Sequence, residues 1–168
     1  KPSRIVPTEN DFFFRSQLLK GHVHDMGAAL QGGVGGHAGL FSNANDLGIF
    51  MQMYLQGGKY AGQRYLDSTI LSEYTSCQFC DENNRRGITF DKPALKNEEG
   101  GPACNCNPSE RSFGHSGFTG TLVWVDPDEK FIYVFLSNRI HPTSENRKLI
   151  DMDVRTNIME VFYELIRL

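Results

Sequence analysis

His115, Ser116 and Gly117 stand side by side in the run Phe113-Gly114-His115-Ser116-Gly117-Phe118-Thr119-Gly120, and no other stretch of this 168-residue chain is better suited to chemistry. An imidazole, a small hydroxyl and a residue without a side chain on one strand let a substrate carboxylate or carbonyl come close to the backbone. The elements that must position them follow at once. Thr121 to Asp126 reads as a strand, Pro127-Asp128-Glu129-Lys130 as a tight turn, and Phe131 to Ser137 as a nearly all-apolar strand covered on both faces. The result is an antiparallel meander with its polar and small residues on the first strand.

Upstream, residues 1 to about 41 show no sustained periodicity and are rich in glycine, so they read as loop with short elements, a helical turn or two falling over Asp11 to Leu19. Ser42 reads as a helix N-cap with Asp46 in the positive first turns. Leu47, Phe50, Met51, Tyr54 and Leu55 follow at helical spacing, and Gly57-Gly58 ends the helix. A second helix starts at Asp67 or Ser68 and runs to about Ser76. Cys77 to Arg111 is a long polar excursion with one short strand over Arg86 to Phe90. At the end, Ile150, Val154, Ile158, Val161, Phe162 and Leu165 form one stripe, predicting an amphipathic helix laid on the sheet.

Other groupings point to other chemistry. Gly32-Gly33-Val34-Gly35-Gly36 lacks the Gly-x-x-x-x-Gly-Lys-Ser/Thr pattern of a phosphate cradle, and close backbone packing accounts for it better. His22, His24, Asp25 and His37 carry zinc-donor chemistry but no helical His-x-x-x-His pair. Hydrogen bonding that holds a loop is the alternative. Cys77, Cys80, Cys104 and Cys106 form two close pairs, for which free thiols, disulfides and a four-thiolate metal site are competing readings. Asp25, Asp46, Asp126 and Asp128 form no recognisable acid and nucleophile pair for glycoside cleavage. A net charge of −3 argues against a nucleic-acid partner, and no apolar run approaches the roughly 20 residues of a membrane span.

The segment His115-Ser116-Gly117 resembles the third motif of the penicillin-recognising serine hydrolases, which include class C β-lactamases, D,D-peptidases and related esterases: Lys or His, then Ser or Thr, then Gly. The resemblance extends over Pro7-Thr8-Glu9, Arg15, Val23-His24-Asp25, Gly36-His37-Ala38-Gly39-Leu40-Phe41-Ser42, Asp46-Leu47 and Leu136-Ser137-Asn138-Arg139. The wording of His24-Asp25, Gly36-His37-Ala38-Gly39 and Asn138-Arg139-Ile140-His141 is most similar to the β-lactamase-like domain fused behind a family 3 glycoside hydrolase, a β-N-acetylglucosaminidase, in some bacteria.

The resemblance implies a partial β-lactamase/transpeptidase-like α+β fold, with an antiparallel sheet of about three strands, a C-terminal helix and a helical, loop-rich N-terminal half. It would be one truncated domain: a loop-rich and helical part over 1–76, the excursion over 77–111, the meander over 112–138 and the last helix over 148–168. His115 would orient the substrate, Ser116 would hydrogen-bond its carboxylate or carbonyl, Gly117 would keep the strand open, and the Phe118 N–H would form half of an oxyanion hole. The reaction would be acyl transfer on a lactam, peptide or ester. The substrate would be a small molecule or derived from peptidoglycan, with no cofactor required and a periplasmic or extracellular location.

The family's Ser-x-x-Lys and Tyr-x-Asn are absent, since no lysine follows a serine by three and no tyrosine precedes an asparagine by two. Ser144-Glu145-Asn146 fits the looser Ser-x-Asn but follows the third motif. The expectation is a substrate-side half without its nucleophile, with Lys1-Pro2-Ser3 at a cut boundary, an unpaired apolar edge over Phe131 to Ser137 and self-association through that edge or through the uncovered helical face. The alternative is a non-catalytic module that binds peptidoglycan or a protein.

Overall fold

The computed structural model describes residues 2–95, 101 and 103–168. Its centre is the meander: β5 (Phe113–Ser116), β6 (Leu122–Asp126) and β7 (Phe131–Phe135) form an antiparallel sheet in that spatial order. The register runs from Phe113↔Val125 to Ser116↔Leu122 on one side of β6 and from Leu122↔Phe135 to Asp126↔Phe131 on the other. Strand alternation sends Trp124, Leu122 and Tyr133 to one face, where they pack on Met159 and Tyr163. It sends Phe113, Val125, Val123 and Ile132 to the other, against Met51, Tyr54 and Leu55. The sheet is therefore sandwiched between two helices, which is why β7 is apolar on both faces.

Those helices are α2 (Ala44–Leu55) and α5 (Val154–Ile166). The N-cap of α2 is Asn43, one residue beyond the expected Ser42: its side-chain oxygen accepts from Asp46 N–H, and its amide donates to the Asp46 carboxylate. The helix stops at Leu55 before Gly57 and Gly58, both in the left-handed region. The helix α5 differs from expectation in which face it lays down. Met159 and Tyr163 are fully buried, whereas Ile158, Val161, Phe162 and Leu165 are between 38 and 57% exposed. Tyr163 wins the inward position because its hydroxyl reaches the buried Asp126 carboxylate at 2.8 Å while its ring meets Phe131 edge-on. Ile150 lies on a separate short helix, α4 (Lys148–Asp151), divided from α5 by Asp153 with φ +49°.

The N-terminal part holds a hairpin where a helical turn was expected. After a 3-10 turn at Pro2–Arg4, β1 (Pro7–Asp11) pairs with β2 (Gln17–Lys20). The reversal is built by Asp11, whose carboxylate accepts from the backbone N–H groups of Phe13, Phe14 and Arg15, with Ser16 at φ +50°. A five-residue helix, α1 (Met26–Leu30), is capped by Asp25, and α3 (Ser68–Thr75) is capped by Asp67 as its sequence predicts. Between α2 and α3 lies the two-residue ladder of β3 (Lys59–Tyr60) and β4 (Gln63–Arg64). The expected strand over Arg86 to Phe90 does not form. Instead Asp91 alone bridges Gly114, each exchanging its N–H and C=O, while the Arg86 guanidinium is tied to the Asp91 carboxylate. No helix is long and apolar enough to cross a membrane among the described residues.

Candidate functional site

The strand β5 carries Phe113 into the α2 side of the core and, two residues on, puts His115 on that same side at the open end of the sheet. His115 is exposed, with Nδ1 2.7 Å from the Ser116 carbonyl oxygen. Ser116 is half-buried, and its hydroxyl has no hydrogen-bond partner among the described residues. Gly114 is required by close approach, since a Cβ there would be driven into the Val123 carbonyl and the Trp124 ring. At Gly117 a Cβ would collide with the Thr121 hydroxyl. The chain then turns tightly: Gly117 N–H donates to Thr121 O at 2.8 Å and Gly120 N–H to Gly117 O at 2.9 Å. The Phe118 N–H, within this turn, has no acceptor among the described residues.

The Phe118 ring is gripped by groups that sequence reasoning did not assign to the site. The His24 imidazole stacks on it with ring centres 4.9 Å apart and planes 11° from parallel, and the Arg139 guanidinium lies 4.4 Å from its centre. The N-terminal hairpin delivers His24. Its Nδ1 is 2.5 Å from the Glu9 carboxylate, and Arg15 donates to the carbonyls of Val23 and His24 at 2.7 and 2.9 Å while pairing with Asp11 at 2.8 Å. The Arg15 hydrogen bond, with backbone N–H groups adding to it, takes the Asp11 carboxyl down to about 2. The hairpin is fastened to the segment after β7 by Asn138, whose amide donates to the Pro7 and Thr8 carbonyls, and by Asn10 N–H to Pro142 O at 3.0 Å. Glu9, Arg15, His24 and Arg139 all lie in the stretches that carry the family resemblance. The missing information was their convergence on one phenylalanine, because Glu9 and Arg139 are 130 positions apart in the chain.

The other candidate sets disperse. His24 goes to Glu9, whereas His37 Nε2 meets Asp25 at 2.9 Å while Asp25 caps α1, so the four residues 22, 24, 25 and 37 do not gather. No group of three or more His, Cys, Asp or Glu residues gathers in metal-binding geometry among the described residues. The cysteines form the neighbouring disulfides Cys77–Cys80 and Cys104–Cys106, in place of free thiols or a shared thiolate set. Gly33 and Gly39 pack closely within their own loop, where a Cβ on Gly39 would sit 2.5 Å from Gly33 O. Among the acids, Asp46 helps cap α2, Asp128 pairs with Arg111 at 2.8 Å, and Asp126 is fully buried beneath Ser109 and Tyr163. Burial pushes the Asp126 carboxyl up, but hydrogen bonds from Ser109, Tyr163 and Glu129 N–H outweigh it and leave the group below the usual carboxylate range.

The geometry is an open strand end with a free hydroxyl and a free backbone N–H, set on a turn braced from behind. Residues 6–155 match the family model described as Beta-lactamase. The chain belongs to the β-lactamase family. Among curated relatives of this β-lactamase-family chain, a protein named putative D-alanyl-D-alanine carboxypeptidase in Salmonella enteritidis PT4 is 35% identical over 136 residues, 80% of this chain and 31% of the relative. Its namesake in Salmonella typhi matches equally. The chain thus spans about a third of the length of the curated relatives it matches. A solved β-lactamase from Mycobacterium bovis superposes with a TM-score of 0.57 at 22% identity, covering 78% of this chain and 47% of that one. That likeness establishes a partial β-lactamase-like α+β fold, as the sequence implied.

Proposed function

We propose that this chain is the substrate-side part of a serine hydrolase that acts by acyl transfer on a lactam, peptide or ester. His115, Ser116, Gly117 and Phe118 serve as its substrate-binding strand. The observation that carries the reading is the strand end itself: Ser116 Oγ and Phe118 N–H are both unpartnered among the described residues and both belong to one turn fixed by Gly117 and Gly120. A substrate carboxylate or carbonyl laid along β5 would take a hydrogen bond from Ser116. The Phe118 N–H would stabilise charge that develops on the reacting oxygen. The serine that attacks, the group that takes its proton and the second oxyanion donor are not supplied by any Ser-x-x-Lys or Tyr-x-Asn in this sequence. The complete reaction therefore belongs to a longer protein.

The carboxypeptidase named among the relatives favours a cell-wall peptide as substrate, and the two disulfides favour a periplasmic or extracellular location. The resemblance of His24-Asp25 and Gly36-His37-Ala38-Gly39 supports a parent in which a family 3 β-N-acetylglucosaminidase precedes this domain. Incubation of the purified chain with a fluorescent penicillin, followed by intact-mass analysis, should show no covalent adduct. Stoichiometric acylation of any serine in the chain would overturn the assignment of the nucleophile to residues outside it.

A further inference from the structure

Arg139 and Arg155 lie behind the turn from Gly117 to Thr121, and neither has a carboxylate within ion-pair distance among the described residues. Arg139 is 7% exposed. Its Nε donates to Phe118 O at 2.9 Å, its Nη1 donates to Ser144 O and Asn146 O at 2.9 and 3.3 Å, and its backbone N–H meets Thr119 O at 2.9 Å. Arg155, on α5, is half-buried and donates from Nη1 to Thr121 O at 3.0 Å and Gly117 O at 3.5 Å. Burial lowers the Arg155 pKa and the nearby Arg139 charge lowers it further, while Asp153 and Tyr133 act in the opposite sense. Arginine stays charged under such pressure, so two cations are held in one region with carbonyl oxygens as their hydrogen-bonding partners.

The peptide units connect these cations to the site. The carbonyl of Gly117 and the N–H of Phe118 belong to one peptide group. Its oxygen accepts from Gly120 N–H and Arg155, and its N–H has no acceptor among the described residues. In the next peptide the Phe118 carbonyl takes the Arg139 Nε donor, and the Thr119 N–H is at the other end. A donor on a carbonyl oxygen polarises the whole peptide and makes its N–H a stronger donor, the more so at low local dielectric. Two fixed cations on the carbonyl side also lower the energy of an anion on the N–H side.

We propose that Arg139 and Arg155 are positioning residues that form the positive back wall of an anion subsite at the Ser116–Phe118 backbone. They supply positive charge to that backbone through the turn's peptides. The occupant is an oxyanion, either the carboxylate of a substrate or the oxygen that becomes negative during acyl transfer. The inference rests on the hydrolase reading and deepens it.

The test is amide NMR of the 15N-labelled chain with methylphosphonate and, separately, N-acetyl-D-alanine as probes. In the unsubstituted chain the Phe118 amide should move with methylphosphonate, less so at high salt. A matching response to N-acetyl-D-alanine identifies the substrate-carboxylate role, and a response to methylphosphonate alone identifies the reacting-oxygen role. In Arg155→Met the Phe118 amide should shift upfield before any ligand is added, and the dissociation constant should rise about five-fold or more, a weakening of the Phe118 hydrogen bond to the anion by about 1 kcal/mol. Arg155→Lys should recover part of both effects. Arg139→Met should do the same to the Thr119 amide, and unchanged amides of Trp124 and Val125 certify the fold. Should Arg139→Met not fold, Arg155→Met decides alone. A Phe118 response retained in full in Arg155→Met overturns this inference and leaves the hydrolase reading standing. No response to either probe in the unsubstituted chain removes both.

Discussion

Lys92 is 4% exposed, lies with its Nζ 5.9 Å from the centre of the Phe113 ring, and follows Asp91 in the bridge to β5. Burial lowers its pKa from 10.5 to about 8; the Asp126 carboxylate works against the fall and the Arg111 charge assists it. The folded chain therefore holds this proton less tightly than the unfolded chain does. Below pH 8 the buried charge costs the fold about 3 kcal/mol, at 1.36 kcal/mol per pH unit. The cost declines as pH rises from about 8 to 10.5 and is gone above that range. Replacement by methionine, which keeps the unbranched stem against Phe113, should stabilise the protein by about 3 kcal/mol at pH 7 and by much less at pH 10. Urea unfolding of both proteins at several pH values between 6 and 10 measures this. A Lys92→Met protein less stable than its parent at pH 7, or a difference flat from pH 7 to 10, would refute the reasoning. Either result would show that Lys92 has a compensating partner at neutral pH.

Tyr163→Phe removes the hydroxyl that donates to Asp126 at 2.8 Å but leaves the ring against Phe131, so the loss should be about 1.5–3 kcal/mol, measured by urea unfolding. A loss below about 0.5 kcal/mol would mean that Ser109 and the Glu129 N–H already satisfy the buried carboxylate. β7 pairs with β6 on one side and with no strand on the other among the described residues, so the chain should self-associate through that edge at high concentration. Val134→Lys should shift the mass seen by light scattering towards the monomer. A strictly monomeric unsubstituted chain would contradict the edge argument.

How much of this molecule could be read from its sequence depended on whether a residue's job was local. The meander was legible because Leu122 to Asp126 and Phe131 to Phe135 are β-branched and aromatic runs separated by a turn, and because the double coverage of β7 follows from its lack of polar alternation. The start of α3 was legible in Asp67, which caps its own next residues. The hairpin was hidden because Pro7-Thr8-Glu9-Asn10-Asp11 has poor strand propensity. Its pairing depends on Asp11 holding three amides and on Asn138 reaching back from beyond β7, information that no window of neighbouring residues contains. The orientation of α5 was hidden for a different reason. Its most apolar stripe is not its inward face, because inwardness is decided by Tyr163, whose polar end must meet a buried acid 37 positions away.

The same distinction explains the site. His115-Ser116-Gly117 is contiguous, so its chemistry could be read at once, yet a strand end with a hydroxyl is common and becomes a binding element only when its backbone is held still. What holds it comes from three remote places: His24 with Glu9 from the hairpin, Arg139 from the segment after β7, and Arg155 from the last helix. Each contributes a contact to Phe118 or to a carbonyl of its turn, and the contacts from arginine also carry charge. Positioning and electrostatics at this turn therefore come from the same side chains. A substitution that loosens the turn also weakens its positive field, whereas Arg155→Lys separates the two by keeping the charge and discarding the planar fork.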